Sequence, residues 1–84
     1  MSKVEVTIYD PDTKQADRAA RRLRTSLKNE GVASLVSEVT CYLEISRQGL
    51  KGKTPVISVN GVNFKCKNLS DSLLDEFAKW VSRN

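Results

Sequence analysis

Val4, Val6 and Ile8 alternate with Lys3, Glu5 and Thr7 and lead to Tyr9, the period-two pattern of a strand with one packed and one partly open face. Asp10-Pro11-Asp12 follows. An acidic cap with proline at the first helical position starts a helix, and either aspartate qualifies as the cap. Ala16, Ala20, Leu23 and Leu27, with Ala19 beside them, recur at helical spacing until Asn29-Glu30-Gly31 stops the run, which predicts a helix over roughly residues 12–29. Val32 to Val39 is β-branched and apolar enough for a second strand, although Ser34 and Ser37 blur its alternation. Thr40 is placed to cap a short helix reaching Gln48, with Leu43 and either Ile45 or Tyr42 turned inward, before the loop Gly49-Leu50-Lys51-Gly52-Lys53.

Proline lacks a ladder donor and belongs at the mouth of a strand, so Pro55 marks the start of Val56 to Val59. Asn60-Gly61 tolerates positive φ at both central positions of a type I′ turn, and Val62-Asn63-Phe64-Lys65-Cys66-Lys67 alternates as a half-buried return strand. Ser70 caps a last helix with Leu73, Phe77, Trp80 and Val81 as its apolar stripe and Leu74 beside it. The order is then strand, helix, strand, short helix, strand, strand, helix. A crossover helix makes the first two strands parallel neighbours joined right-handedly, the hairpin is antiparallel, and the result is a mixed four-stranded sheet with helices on its faces.

Composition narrows the class. At 84 residues, with net charge +4 and 39% hydrophobic residues, residues 1–84 fit one small domain with no room for a second core, and the sequence pI is near 9.3. Two cysteines do not make a disulfide scaffold, and the absence of histidine removes the usual general base and commonest metal ligand. Met1-Ser2-Lys3-Val4-Glu5 lacks the apolar run of a signal peptide, and no stretch nears the roughly 18 apolar residues of a spanning helix; a soluble, cytoplasmic protein is expected. No repeat, linker or low-complexity segment interrupts it.

The charged residues carry weak signals. Arg18, Arg21, Arg22, Arg24 and Lys28 form a basic face on the first helix, which reads first as solvated surface, then as a surface for acidic proteins, and last as a nucleic-acid site, because no stacking aromatics are interleaved. Asp10, Asp12 and Asp17 have capping and dipole roles at a helix start, so no metal is expected there. Trp80 and Tyr42 read as core or rim packing.

With Thr54-Pro55-Val56 running into Asn60-Gly61, and Asp17-Arg18-Ala19-Ala20-Arg21-Arg22-Leu23 at the matching distance upstream, the chain resembles the thioredoxin-like superfamily in its compact glutaredoxin-like form, over nearly its whole length. The resemblance implies an α/β fold, β-α-β-α-β-β-α, with sheet order 2-1-3-4 and a cis-proline at Pro55. Where it places a Cys-x-x-Cys pair, however, the chain reads Thr13-Lys14-Gln15-Ala16. The family's exchange chemistry needs a thiolate stabilised at a helix N-terminus and a second, resolving thiol. Thr13 cannot replace it: a hydroxyl needs an activating base, and nearby aspartates oppose another negative charge. Dithiol exchange is therefore not expected, and no cofactor is implied.

In the implied order Cys41 and Cys66 lie near opposite edges, about three spacings of ~4.8 Å apart, beyond the roughly 7 Å that a disulfide spans without backbone movement. Cys66 shares parity with Val62 and Phe64 and reads as a buried core residue, whereas Cys41 reads either as inert filler or as a reactive helix-start thiol. In the resembled family the proline loop docks extended peptides or the glutathione backbone, so Thr54 and Pro55, bordered by Lys14, Lys51 and Lys53, become the expected ledge for an extended or acidic segment. The expected function is peptide or protein binding without catalysis. The alternative is a thiol-dependent redox protein using Cys41 or Cys66 singly, with glutathione or a partner cysteine.

Overall fold

Alternation along the first strand decides which side chains meet the helices, and the rest of the chain folds against that choice. A computed structural model describes residues 3–83; Met1 and Ser2, part of the segment read as lacking a signal peptide, lie outside the described residues. The elements are β1 (Val4–Tyr9), α1 (Thr13–Asn29), β2 (Ser34–Val39), α2 (Tyr42–Arg47), β3 (Val56–Val59), β4 (Val62–Lys65) and α3 (Asp71–Arg83). The four strands form one open mixed sheet in the order β2-β1-β3-β4, as expected. β1 runs parallel to β2 with Val4 opposite Ser34, and antiparallel to β3 with Tyr9 opposite Val56. Asn60 and Gly61 take φ of 49° and 87°, as the two-residue turn between β3 and β4 requires, and the Thr54–Pro55 peptide bond is cis.

The pleat divides the core in two. Val6, Ile8 and Ile57 point to the face covered by α1 and α3, where they pack with Ala16, Leu23, Leu27 and Leu74. Small alanines at 16, 19 and 20 bring α1 close to the sheet, and all three are fully buried. On the opposite face Val56 packs with Ile45 and Leu50, flanked by Tyr9 and Val39, so α2 covers only one end of that face. Among the described residues no helix is long and apolar enough to cross a membrane.

Several local expectations are corrected. Asp12 is the N-cap of α1, accepting from the Gln15 backbone N–H at 3.1 Å, which places Pro11 before the cap rather than at the first helical position. Thr40 does not cap α2; Cys41 takes that position and makes no side-chain capping bond. Leu43 is 68% exposed while Ile45 is 1% exposed, because residues two apart on a helix point about 200° from each other and only one can face the sheet. Tyr42 is exposed as well. In α3 the core face is Leu74, Ala78 and Val81; Leu73 and Phe77 are half-buried, and Trp80 is 43% exposed. Ser70 does cap α3, its Oγ accepting from the Leu73 N–H at 3.2 Å.

Ile45→Ala is expected to destabilise the fold by about 2–4 kcal/mol through loss of buried contact, and Leu43→Ala by less than about 0.5 kcal/mol. Urea unfolding of the two variants checks the assignment of α2's inward face.

Candidate functional site

Register brings the expected ledge together at one end of the sheet. Tyr9 sits opposite Val56, so the residues that follow β1 and those that precede β3 emerge side by side. The Asp10 N–H donates to the Val39 carbonyl at 3.1 Å, which places the start of α2, with Cys41, at the same end. Thr13 and Lys14 therefore share this end with Thr54 and Pro55, while Lys51 and Lys53 are exposed on the loop leading into β3. Thr54 and Pro55 are half-buried. Neither the backbone N–H nor the carbonyl of Thr54 has a hydrogen-bond partner among the described residues.

The α1 terminus at this end is capped in part by its own chain. Asp10 is buried, and its two oxygens accept from the Asp12 N–H at 2.9 Å and from the Gln15 side-chain amide at 2.6 Å. With the Asp12 cap added, two carboxylates serve the first turn that a bound anion would otherwise occupy. Of Thr13-Lys14-Gln15-Ala16, Thr13 and Lys14 are exposed, Gln15 is held by Asp10, and Ala16 is core. Among the described residues no cluster of three or more histidine, cysteine, aspartate and glutamate side chains is placed to hold a metal ion.

The two cysteines are free and belong to opposite edges of the sheet. Cys41 is exposed and stands at the N-cap of α2. Cys66 is not the fully buried core residue expected. It is half-buried, its Sγ lies 3.6 Å from the Phe64 carbonyl, and its backbone N–H donates to the Pro55 carbonyl at 3.0 Å. Burial pushes its thiol pKa up, against a smaller opposing effect of a hydrogen bond with the Ile57 backbone. A raised thiol pKa leaves less thiolate at neutral pH and weakens Cys66 as a nucleophile.

The basic face is solvent-exposed along its length, and its arginines also pair within the fold. Arg22 grips Asp75 in two bonds, Nε to Oδ1 at 3.0 Å and Nη2 to Oδ2 at 2.7 Å, and Ser26 adds a bond to the same carboxylate at 2.6 Å. Arg18 pairs with Asp71 at 2.9 Å and donates to the Leu69 carbonyl at 2.6 Å, so the first turns of α3 are clasped to the middle of α1. Arg21 pairs with Asp17 on its own helix, and Arg24 donates to the Val36 carbonyl at 2.9 Å. Lys28 stays exposed in the last turn.

A groove of about 480 Å³ lies between β4 and α3, lined by Phe64, Cys66, Leu73, Phe77 and Trp80 with Lys65 and Lys67 at its rim. Sequence reasoning missed it. The signal was present as excess: the apolar arc of α3 from Leu73 to Val81 is wider than the one face that Leu74, Ala78 and Val81 bury. Comparison of the chain with protein-family models, with curated proteins and with solved structures gives no match.

Hydrogen bonds from Arg22 and Ser26 hold the Asp75 carboxyl at about 2, below its ordinary 3.8, with burial opposing them and the Arg22 charge assisting. A depressed folded pKa makes this contribution complete above the ordinary value and lost as pH falls through about 2. In Arg22→Gln, the Asp75 carboxyl resonance is expected to titrate closer to 3.8 in an NMR pH series. A thiol probe at pH 8 is expected to label the exposed Cys41 in a fast phase and Cys66 in a slower one, resolved by mass spectrometry.

Proposed function

We propose that this chain is a thioredoxin-like domain, without the dithiol, that binds an extended segment of a partner peptide or protein along Thr54 and Pro55. The observation that carries this reading is the Thr54 main chain, whose donor and acceptor stand outside the β3 ladder with no partner among the described residues. Such groups recognise an extended backbone regardless of its side chains. Exposed Tyr42 and Leu43 at the start of α2 provide apolar surface at the same end, and Lys14, Lys51 and Lys53 favour an acidic segment.

The reading is non-catalytic because Thr13-Lys14-Gln15-Ala16 supplies no thiol and the α1 N-terminus is filled by Asp10 and Asp12. A cytoplasmic setting suits two thiols that remain free, one of them exposed. Nucleic acid is disfavoured because Arg18, Arg21 and Arg22 already face carboxylates. Exposure of Cys41 at the same sheet end favours one second reading, a single-thiol redox protein that forms a mixed disulfide with glutathione or a partner cysteine.

Backbone amide shifts of the labelled chain, followed while an acidic extended peptide, oxidised glutathione or a single-stranded oligonucleotide is added, test these readings. The peptide is expected to shift Lys53, Thr54 and Val56, with Lys14→Glu weakening it about two- to fivefold at low salt. Absence of any peptide-dependent shift at Thr54 overturns the binding reading. A mass gain of one glutathione on Cys41, lost in Cys41→Ser, would install the redox reading instead.

A further inference from the structure

The two edges of the sheet are finished differently. On β2, the Ala33 and Val39 carbonyls turn inward to the Val4 and Asp10 N–H groups, so Ser34, Val36 and Glu38 turn their main-chain groups outward. Arg24 reaches across from α1 and occupies the outward Val36 carbonyl at 2.9 Å, which obstructs that edge. On β4, the Cys66 N–H turns inward to Pro55 and the tight turn pairs Val62 with Val59, so Asn63 and Lys65 present their N–H and carbonyl groups outward. None of these four groups has a partner among the described residues. An unpaired strand edge is a template for another extended chain.

This edge also has a wall. The flank of α3 that the core leaves over, Leu73, Phe77 and Trp80, stands beside β4 and meets Phe64 in a cluster of rings. The Phe64 centroid lies 5.8 Å from that of Phe77 and 5.1 Å from that of Trp80, both in edge-on contact. The resulting groove, about 480 Å³, is within the usual ligand-site range of roughly 300–1,000 Å³. Its rim is positive, since Lys65 and Lys67 are both exposed there.

We propose that β4 and this groove bind an extended segment of a partner protein as a fifth strand, with alternate apolar side chains under Trp80 and Phe77 and acidic side chains beside Lys65 and Lys67. The period-two pleat demands that alternation: one face of an added strand meets the aromatic wall, and the other carries the charges opposite the lysines. A second copy of this chain is the poorer occupant, because an antiparallel β4–β4 pair gathers the lysines of both copies on one ribbon with no β4 carboxylate to offset them. The surface is separate from the Thr54 ledge, and the two report through different amides.

The test is a titration of the labelled full chain with a capped nine-residue peptide of alternating valine and glutamate. Shifts are expected at Asn63, Lys65 and the Trp80 indole, with slowed hydrogen exchange at the Asn63 and Lys65 amides. A valine–lysine peptide should bind about tenfold more weakly at low salt, and the double variant Lys65→Glu, Lys67→Glu should reverse that preference while its circular dichroism stays unchanged. The glutamate peptide methylated at every backbone nitrogen should not bind. Retained binding of the methylated peptide, identical shifts from hexanoate alone, response at Thr54 in place of Asn63, a β4-paired dimer of the free chain, or no shift at millimolar peptide would each overturn the proposal.

Discussion

The pleat of β1 and β3 sends Val6, Ile8 and Ile57 to one side of the sheet and Tyr9 and Val56 to the other, and the two sides are covered unequally. Two long helices seal the first side. The second has only the single short turn of α2 and the loop at Leu50, which close the end near Val56 and leave Glu5, Thr7, Leu35 and Ser37 toward solvent. Because the small second cluster packs on the strand end that follows Pro55, it also fixes where the Thr54 ledge stands relative to the start of α1. Packing on one side of the sheet thus positions main-chain groups offered at its end.

Electrostatics does structural work here before it does any recognition. A net charge of +4 and a helix with six basic side chains suggest an anion-binding surface, yet the arginines of α1 are directed to Asp17, Asp71, Asp75 and the carbonyls of Leu69 and Val36. Paired this way, they orient α3 against α1 and guard the β2 edge, while the lysines at positions 14, 51, 53, 65 and 67 remain exposed. Those lysines lie around the two places where the backbone is also open, near Thr54 and along β4. Charge and unsatisfied main chain coincide at both places, and that coincidence, rather than total charge, is the basis of the two proposed binding surfaces.

How far the site was legible follows from the range of the interactions involved. The Asn60-Gly61 turn, the strand after Pro55 and the α1 stripe are local, because dihedral preference and hydrophobic period are written in neighbouring residues. Leu43 and Ile45 were not separable in that way, since both are apolar and only the location of β1 and β3 decides which one turns inward. Helical spacing groups Leu73, Phe77 and Trp80 with Val81 in one apolar stripe and leaves Trp80 as either core or rim, and the sheet is too narrow at β4 to cover the whole arc.

Residue pattern alone determined the order of elements, the crossover that makes β1 and β2 parallel, and that Thr13-Lys14-Gln15-Ala16 at the head of α1 holds no cysteine, because each depends on local periodicity or on residue identity. Tertiary structure alone decided that Arg18 and Arg22 pair with α3, that the main-chain groups of Thr54, Asn63 and Lys65 have no partner among the described residues, and that an aromatic groove flanks the free edge. Those outcomes depend on which groups from distant segments meet. Asp75 lies 53 positions from Arg22, and no period within one helix encodes that separation.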